Sequence, residues 1–218
     1  MGRRWHLQRR FPGVEIDPSC QFTGIHGVRI KSGTVVGQDC WFNVNDWNSA
    51  EPGILIGECC FIARRNFFTC GKSIEIAPFC LTGPDCHFLG ADHDPSDPEM
   101  PYAQARVVCG ERIRVGGNCW LGARVTVLKG VSIGHGSVVA ASAVVTGNLP
   151  SFSLSAGFPA TIRRRYSFLK KKWIPFREFT PEDEASLPGE GDYVRKMQLR
   201  HGNFVPPRHA AGNFWGDL

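Results

Sequence analysis

The sequence predicts an all-β fold in which the chain winds as a solenoid of short strands. Apolar residues recur every twenty positions in the first part of the chain and every six positions from Val115 to Val145. Composition supports the same fold class, since 25 glycines and 15 prolines among 218 residues disfavour a helix bundle. The two periods are therefore the main evidence, and each is justified in turn.

The first period divides the chain into rows of twenty residues. Each row opens with an aliphatic residue and has a cysteine at its fifth position. The openers are Ile16, Val36, Ile56 and Ile76, and the cysteines are Cys20, Cys40, Cys60 and Cys80. We expect these four cysteines in one column and, with Cys119, buried as small hydrophobic residues.

The second period is six residues long. Its openers are Val115, Leu121, Val127, Ile133, Val139 and Val145, and the partners four positions later are Cys119, Val125, Val131, Ser137, Ala143 and Leu149. An apolar residue at every sixth position fits neither an α-helix nor a simple alternating strand. It is typical of a coil in which three hexads each form a strand and a turn. We expect about six coils between Val14 and Leu149.

Three parts follow from this pattern: an N-terminal arm at 1–13, a coil domain at 14–162 and a C-terminal tail at 163–218. The tail begins with basic and aromatic residues and continues with scattered prolines. We expect a short helix around 192–199, and we expect the tail to cover the end of the coils or a neighbouring subunit.

The coil domain is interrupted by an extended loop at 92–107. Ile76 and Val115 are 39 residues apart, and the segment between them is rich in prolines and acidic residues. Loops of this length inside a domain are usually functional or disordered. His93 lies where the loop begins, and an imidazole can remove a proton from a hydroxyl near neutral pH. Asp92 or Asp94 is expected to fix its tautomer or to stabilise the imidazolium.

Five short motifs occur in order after residue 89: Gly90–His93, Asn118–Ala123, Val131–Gly134, Ala141–Thr146 and Gly157–Arg164. As a series they resemble the hexapeptide-repeat acyltransferases, in the branch of maltose, galactoside and polysaccharide O-acetyltransferases. The resemblance covers roughly residues 54–165. It implies a left-handed parallel β-helix, a homotrimer and active sites between subunits.

The resemblance also implies roles for single residues. His93 matches the general base that deprotonates the acceptor hydroxyl. Trp120 matches a residue that lines the pantetheine channel, and Ala123 matches a backbone N–H that faces the thioester carbonyl. The residues implied in acyl-CoA binding are Trp120, Gly122, Ala123, Ala141, Thr146, Arg163 and Arg164. For the acceptor we expect contacts from Asn66, Asp92 and Tyr102.

The sequence departs from the family pattern in three places. The helical N-terminal segment of the maltose and galactoside enzymes is expected to be missing. Ala63 stands where those enzymes have an asparagine of the acceptor site, and Gly147 stands where they have a lysine. A simple galactoside or maltose acceptor is therefore not implied.

These observations predict an O-acetyltransferase that moves an acetyl group from acetyl-CoA to a hydroxyl of a sugar or glycan, without a metal. A γ-type carbonic anhydrase is an alternative, and it would need three zinc-binding histidines. Here His87 and His93 are six residues apart, and His26 and His135 lie on distant coils. A non-catalytic scaffold that keeps the coils is the other alternative.

Charge and composition limit the partners and the compartment. The net charge of +5 suits a phosphate-bearing ligand and is small for a nucleic-acid-binding protein. No uninterrupted apolar run is long enough to span a membrane, and the first residues do not resemble a secretory signal. Nine cysteines without a C-x-x-C pair favour a reducing, cytoplasmic environment.

Overall fold

The computed structural model describes residues 2–45, 51–202, 204 and 206. Parts of all three predicted segments lie outside these residues: residue 1 of the arm, 46–50 of the coil domain, and most of the tail beyond 202. The described chain is built mainly of short strands, with helices near its two ends.

The strands are short, and most have two to four residues. In the first half of the chain they are β1 (Glu15–Ile16), β2 (Gln21–Thr23), β3 (Val28–Ile30), β4 (Val35–Val36), β5 (Trp41–Val44), β6 (Ile54–Ile56), β7 (Phe61–Ile62), β8 (Phe67–Cys70), β9 (Ile74–Ile76), β10 (Leu81–Thr82) and β11 (His87–Leu89). The remaining strands are β12 (Ala91–His93), β13 (Val107–Cys109), β14 (Ile113–Val115), β15 (Trp120–Leu121), β16 (Thr126–Leu128), β17 (Ser132–Ile133), β18 (Val138–Val139), β19 (Val144–Val145), β20 (Ser153–Ala156), β21 (Thr161–Ser167) and β22 (Lys172–Pro175).

Three sheets form the sides of the solenoid, and we name them A, B and C. Sheet A has the order β1-β4-β7-β10-β15-β18-β20-β21-β22, sheet B has β19-β16-β11-β8-β5-β2, and sheet C has β17-β14-β9-β6-β3. Strands from successive coils pair in parallel, as in the register of Leu121 with Val139. Six coils lie between β1 and Leu149, as predicted.

The interior is filled by the residues that the six-residue period selects. Each predicted opener from Val115 to Val145 is buried, and so is each partner four positions later. Beneath sheet B, Phe22, Phe42, Phe68 and Phe88 stack with ring centroids 4.6 to 5.0 Å apart. Burying a side chain of this size is worth about 1.5–3 kcal/mol. Repetition of the same inward positions therefore stabilises the whole stack.

The predicted single column of four cysteines is wrong. Val36 pairs with Ile62, whereas the twenty-residue rows place it beside Ile56. The second coil therefore spans 26 residues, from Val35 to its partner Phe61. The six extra residues fall between β5 and β6, and they equal one hexad. The chain therefore still returns to sheet A, while the openers of the twenty-residue rows move from sheet A (Val36) to sheet C (Ile56).

The cysteines consequently form two columns. Cys20 and Cys40 lie at the corner between sheets A and B, and Cys60, Cys80 and Cys119 lie at the corner between sheets C and A. All five are buried, as predicted. Their thiols donate to carbonyls of the next coil, for example from Cys80 to Gly116 over 3.1 Å.

Two of the buried cysteines, Cys80 and Cys86, are poor nucleophiles. All nine lie within the described residues, and none forms a disulfide there. Burial raises the pKa of Cys86 to about 11 and raises the pKa of Cys80 well above its ordinary value. These thiols remain protonated at neutral pH, which agrees with a packing role.

The N-terminal arm contains a helix, α1 (Gly2–Arg10), where we expected no helical segment. Leu7 and Phe11 are buried against the first coil, and the Phe11 ring stacks on Phe22. The Arg10 guanidinium donates to carbonyl oxygens of the first coil. The helix forms because it covers an apolar coil end that would otherwise face water.

The C-terminal tail continues sheet A and then turns back along the coils. Strands β21 and β22 add in antiparallel orientation after β20. Two helices follow, α2 (Pro181–Ala185) and α3 (Glu190–His201), and α3 includes the predicted helix at 192–199. Glu190 pairs with Arg114 at 2.6 Å and accepts the Gly117 N–H. No helix of the described residues combines the length and the apolar character needed to cross a bilayer.

Candidate active site

The loop that interrupts the coils is a hairpin. The chain leaves sheet B after β11, and β12 then pairs with β13 in antiparallel register, so that His93 lies opposite Val107. The predicted loop at 92–107 is thus ordered by backbone pairing at its base. Beyond the strands, Arg106 and Asp94 close the hairpin with an ion pair of 2.9 Å.

His93 is held by a backbone group. Its side chain is exposed, and Nδ1 lies 3.1 Å from the carbonyl oxygen of Ala105. A carbonyl oxygen only accepts hydrogen bonds, so Nδ1 carries the proton in this contact. The lone pair of the neutral ring is then on Nε2. This tautomer leaves Nε2 as the atom able to accept a proton from a hydroxyl.

The predicted partnership of His93 with a neighbouring carboxylate is wrong. Asp92 pairs with Lys129 of the next coil at 2.9 Å, and Asp94 pairs with Arg106. The hydrogen bond from Arg106 lowers the pKa of Asp94. Successive side chains of a strand point to opposite sides, so Asp92 cannot face its neighbour's imidazole. The real partner is a main-chain carbonyl, for which the sequence carries no signal.

Trp120 lies on the outer face of sheet A. It is 53% exposed and stands in register between Leu81 and Val138 of the adjacent coils. Its neighbour Leu121 points into the core. The indole is therefore available to a ligand, as the prediction requires.

Gly122 has a packing role. A Cβ atom at this position would lie 2.6 Å from the backbone nitrogen of Ala141. The corners between sheets A and B thus stack too closely here for any side chain. This contact accounts for the glycine without a ligand.

Ala123 and Ala141 stack at the same corner on successive coils. Their backbone N–H groups have no hydrogen-bond acceptor within the part of the chain that the structure describes. Such groups can donate to a ligand carbonyl. Thr146 follows β19 and is exposed, so it too is accessible.

The arginine run of β21 separates into exposed and buried residues. Arg163 and Arg164 are exposed, as phosphate binding requires. Arg165 is only 3% exposed; it pairs with Glu184 at 3.0 Å and its guanidinium lies over the ring of Phe179. Arg163 and Arg164 remain candidates for binding the phosphates of acyl-CoA, whereas Arg165 holds the tail in place.

One of the three predicted acceptor contacts is wrong. Asn66 is 1% exposed, and its Nδ2 donates to the carbonyl oxygens of Ala63 and Gly83. The side chain therefore braces a coil corner and cannot meet an acceptor. Asp92 and Tyr102 are exposed on the hairpin and remain accessible.

The site residues are distributed over the surface of a single chain. Among the described residues, no hydrogen bond or ion pair joins His93 on the hairpin to Trp120 on sheet A. The histidines of the zinc alternative are also apart: His87 packs on Phe67, and His135 contacts Ser151 and the Pro188 carbonyl. Within the described ranges, no group of three or more histidine, cysteine or acidic side chains is arranged to hold a metal ion.

The chain matches one family model and several curated proteins. Residues 112–147 match the bacterial transferase hexapeptide family, which has six repeats. The chain is 30% identical over 125 residues to a probable acetyltransferase, Rv3034c, of Mycobacterium tuberculosis. It is 33% identical over 124 residues to a putative lipopolysaccharide biosynthesis O-acetyl transferase, WbbJ, of Escherichia coli K12. Each match covers 56% of this chain, but only 41% and 63% of the two relatives.

A solved structure supports the same resemblance. The hexapeptide-repeat acetyltransferase VCA0836 of Vibrio cholerae, crystallised with acetyl coenzyme A, is 27% identical to this chain with a TM-score of 0.54. The alignment covers 74% of this chain and 75% of that protein. The chain therefore carries the hexapeptide repeat of the bacterial transferases and is similar to acetyltransferases built on it, which confirms the resemblance inferred from its motifs.

Proposed function

We propose that this chain is an acetyltransferase that moves an acetyl group from acetyl-CoA to a hydroxyl of a sugar or glycan. The observation that carries the proposal is the imidazole of His93, oriented by the Ala105 carbonyl so that Nε2 is free to accept a proton. The relatives named as acetyltransferases support the reaction class. An acceptor sugar would suit a place in polysaccharide biosynthesis.

The reaction is a direct transfer. Nε2 of His93 takes the hydroxyl proton while the acceptor oxygen attacks the thioester carbonyl carbon. As the carbon–sulfur bond breaks, the proton passes to the departing sulfur, which leaves an ester and free coenzyme A. The Ala105 carbonyl stabilises the imidazolium through Nδ1. A covalent intermediate on Cys80 or Cys86 is disfavoured by burial and by the raised pKa of these two thiols.

The remaining residues bind the acyl donor. We assign the Ala123 N–H as the hydrogen-bond donor to the thioester oxygen, where negative charge develops. Trp120 packs on the pantetheine arm, and Arg163 and Arg164 attract the phosphates. Thr146 and the Ala141 backbone complete the channel. No step requires a metal.

The proposal places each active site between copies of the chain. His93 is exposed in the single chain, and a neighbouring copy would cover it and supply the Trp120 wall. A left-handed β-helix with a capping tail, assembled as a homotrimer in the cytoplasm, is the form we propose.

Substitution of the imidazole tests the proposal. We expect His93→Ala to lower turnover by about 10²–10⁴-fold, the range for loss of a general base. The assay is release of the coenzyme A thiol from acetyl-CoA with free sugars, nucleotide sugars and glycan lipids, followed by mass spectrometry of the product. His201→Ala, an exposed histidine of α3, is the matched control. Undiminished turnover by a folded His93→Ala protein would refute the role, and stoichiometric zinc would favour the carbonic anhydrase alternative.

A further inference from the structure

The outer face of sheet B carries a column of aromatic side chains on three successive coils. Trp41, Phe67 and His87 are in register on β5, β8 and β11. The rings of Trp41 and Phe67 have centroids 4.9 Å apart, and the His87 ring meets Phe67 edge-on at 6.4 Å. Trp41 is 42% exposed, although a residue of this type is usually well buried. We call this surface the aromatic face.

Neutral hydrogen-bonding groups lie beside the aromatic column. The Trp41 indole N–H donates to the Thr23 hydroxyl over 3.2 Å. Asn43 Nδ2 donates to Asn45 Oδ1, and Asn45 Nδ2 donates to Thr69 Oγ1 over 3.1 Å. Asn45 Nδ2 also donates to the Cys70 carbonyl, so both of its hydrogens are used. The amides are thereby oriented, and Asn43 keeps additional donor and acceptor capacity.

Sheet B differs from sheet C in charge. No Asp, Glu, Lys or Arg residue occurs in its strands, which are β2, β5, β8, β11, β16 and β19. Sheet C, by contrast, presents Arg29, Glu75 and Arg114 on its strands. Flat apolar rings together with oriented neutral amides and hydroxyls complement a sugar, which has apolar C–H faces and hydroxyl rims. A charged polymer finds no partner on these strands.

β11 connects the aromatic face to the hairpin of the proposed active site, since His87 is its first residue and His93 follows its last residue by four positions. β11, which carries His87, is followed by Gly90 and then by β12 with His93. Strands of successive coils are about 4.8 Å apart, so the column from Trp41 to His87 is about 10 Å long. That length accommodates roughly two sugar units next to the unit that reacts.

We propose that the aromatic face binds the acceptor, and that the acceptor is a neutral oligosaccharide chain lying along Trp41 and Phe67 toward His93. The proposal rests on the proposed sugar acetylation and specifies its substrate as a chain. A monosaccharide would reach only the His93 end of this surface. A contact between copies of the chain through the same face is the competing outcome of the test.

The experiment measures binding and transfer separately. Binding of glucose, maltotriose, maltoheptaose, cellohexaose and chitohexaose is measured by calorimetry without acetyl-CoA, for the wild type and for Trp41→Ala, Trp41→Phe and Phe67→Ala. We expect affinity to rise from the monosaccharide to the trisaccharide, to fall about tenfold in Trp41→Ala and to recover largely in Trp41→Phe. Phe176→Ala removes an exposed ring of the tail and is the control expected to bind normally.

Three results would overturn the proposal: no binding by any of these sugars, affinity independent of chain length, or equal affinities of Trp41→Ala and Phe176→Ala. A change of oligomeric state in Trp41→Ala, measured by sedimentation velocity, would assign the face to a contact between copies. Thiol release from acetyl-CoA separates this proposal from the proposed function. Sugar binding that depends on Trp41, without any acetyl transfer, would support the aromatic face as a sugar site and refute the proposed acetyltransferase function. Acetyl transfer that is insensitive to Trp41 substitution would support the proposed function and refute the role of the aromatic face.

Discussion

The stacked coils and the β12–β13 hairpin use their side chains in opposite ways. In the coils, inward residues of each strand are buried, and corner groups donate to the next coil. In the hairpin, Met100, Tyr102, Val107 and Val108 are all exposed. The hairpin is held instead by backbone pairing and by two surface ion pairs. Segments with few buried contacts open more readily than packed ones.

The contrast separates stability from chemistry. Substitutions in the coils should mainly lower the free energy of unfolding, because each coil supports its neighbours. Changes in the hairpin or on outer faces should act on turnover or affinity, with little effect on unfolding. Three substitutions test this separation.

The largest effect on unfolding is expected from Gly122→Ala. The added Cβ meets the Ala141 backbone at 2.6 Å, so the corner must shift at a cost of about 1–3 kcal/mol. Denaturant unfolding measures this loss. Gly147→Ala is the matched control, since a Cβ there meets nothing within 4 Å. An unchanged midpoint with a raised KM for acetyl-CoA would instead assign Gly122 to ligand binding alone.

Trp120→Ala is expected to have an effect of intermediate size that is confined to acetyl-CoA binding. The indole is 53% exposed, so its removal leaves the core intact. We expect the KM for acetyl-CoA to rise about tenfold, equivalent to 1.4 kcal/mol of binding. Leu199→Ala on the exposed side of α3 serves as the control. Equal KM values for the two variants would remove Trp120 from the site.

Asp92→Asn should have the smallest effect and should act through the hairpin. The substitution breaks the ion pair with Lys129, which is worth less than about 1 kcal/mol because both groups are partly exposed. We expect kcat to fall about threefold as the orientation of His93 loosens, with unfolding unchanged. Asp192→Asn, which breaks the Arg195 pair on α3, is the comparison. A large loss of stability would show that the hairpin is part of the coil stack.

Much of the coil architecture was predictable because burial repeats with a fixed period. The inward residues from Val115 to Val145, the six coils and the excursion before Val115 all follow from the six-residue pattern. The pattern did not reveal that Val36 stacks on Ile62, because an insertion of one hexad preserves every inward position. Which residues face inward and which residues stack on one another in successive coils are separate properties of a solenoid. Only the first depends on neighbouring residues alone.

The sequence supplied candidate site residues, but it did not supply the contacts that these residues make. The motif series proposed His93, Trp120, Arg163 and Arg164 as site residues, and the structure leaves all four exposed. It did not locate the Ala105 carbonyl, which any residue could supply at that position. It also assigned Asn66 to the acceptor, although the side chain turns inward to brace a corner.

The sequence by itself determined which side chains face inward, since alternation along short strands and turns depends on neighbouring residues only. It also determined where the chain must leave the coils. The tertiary structure decided which side of the solenoid each hexad occupies, which partner orients His93, and which arginine of β21 is buried. Those outcomes depend on groups distant in sequence and on main-chain atoms, whose positions are fixed only when the coils stack.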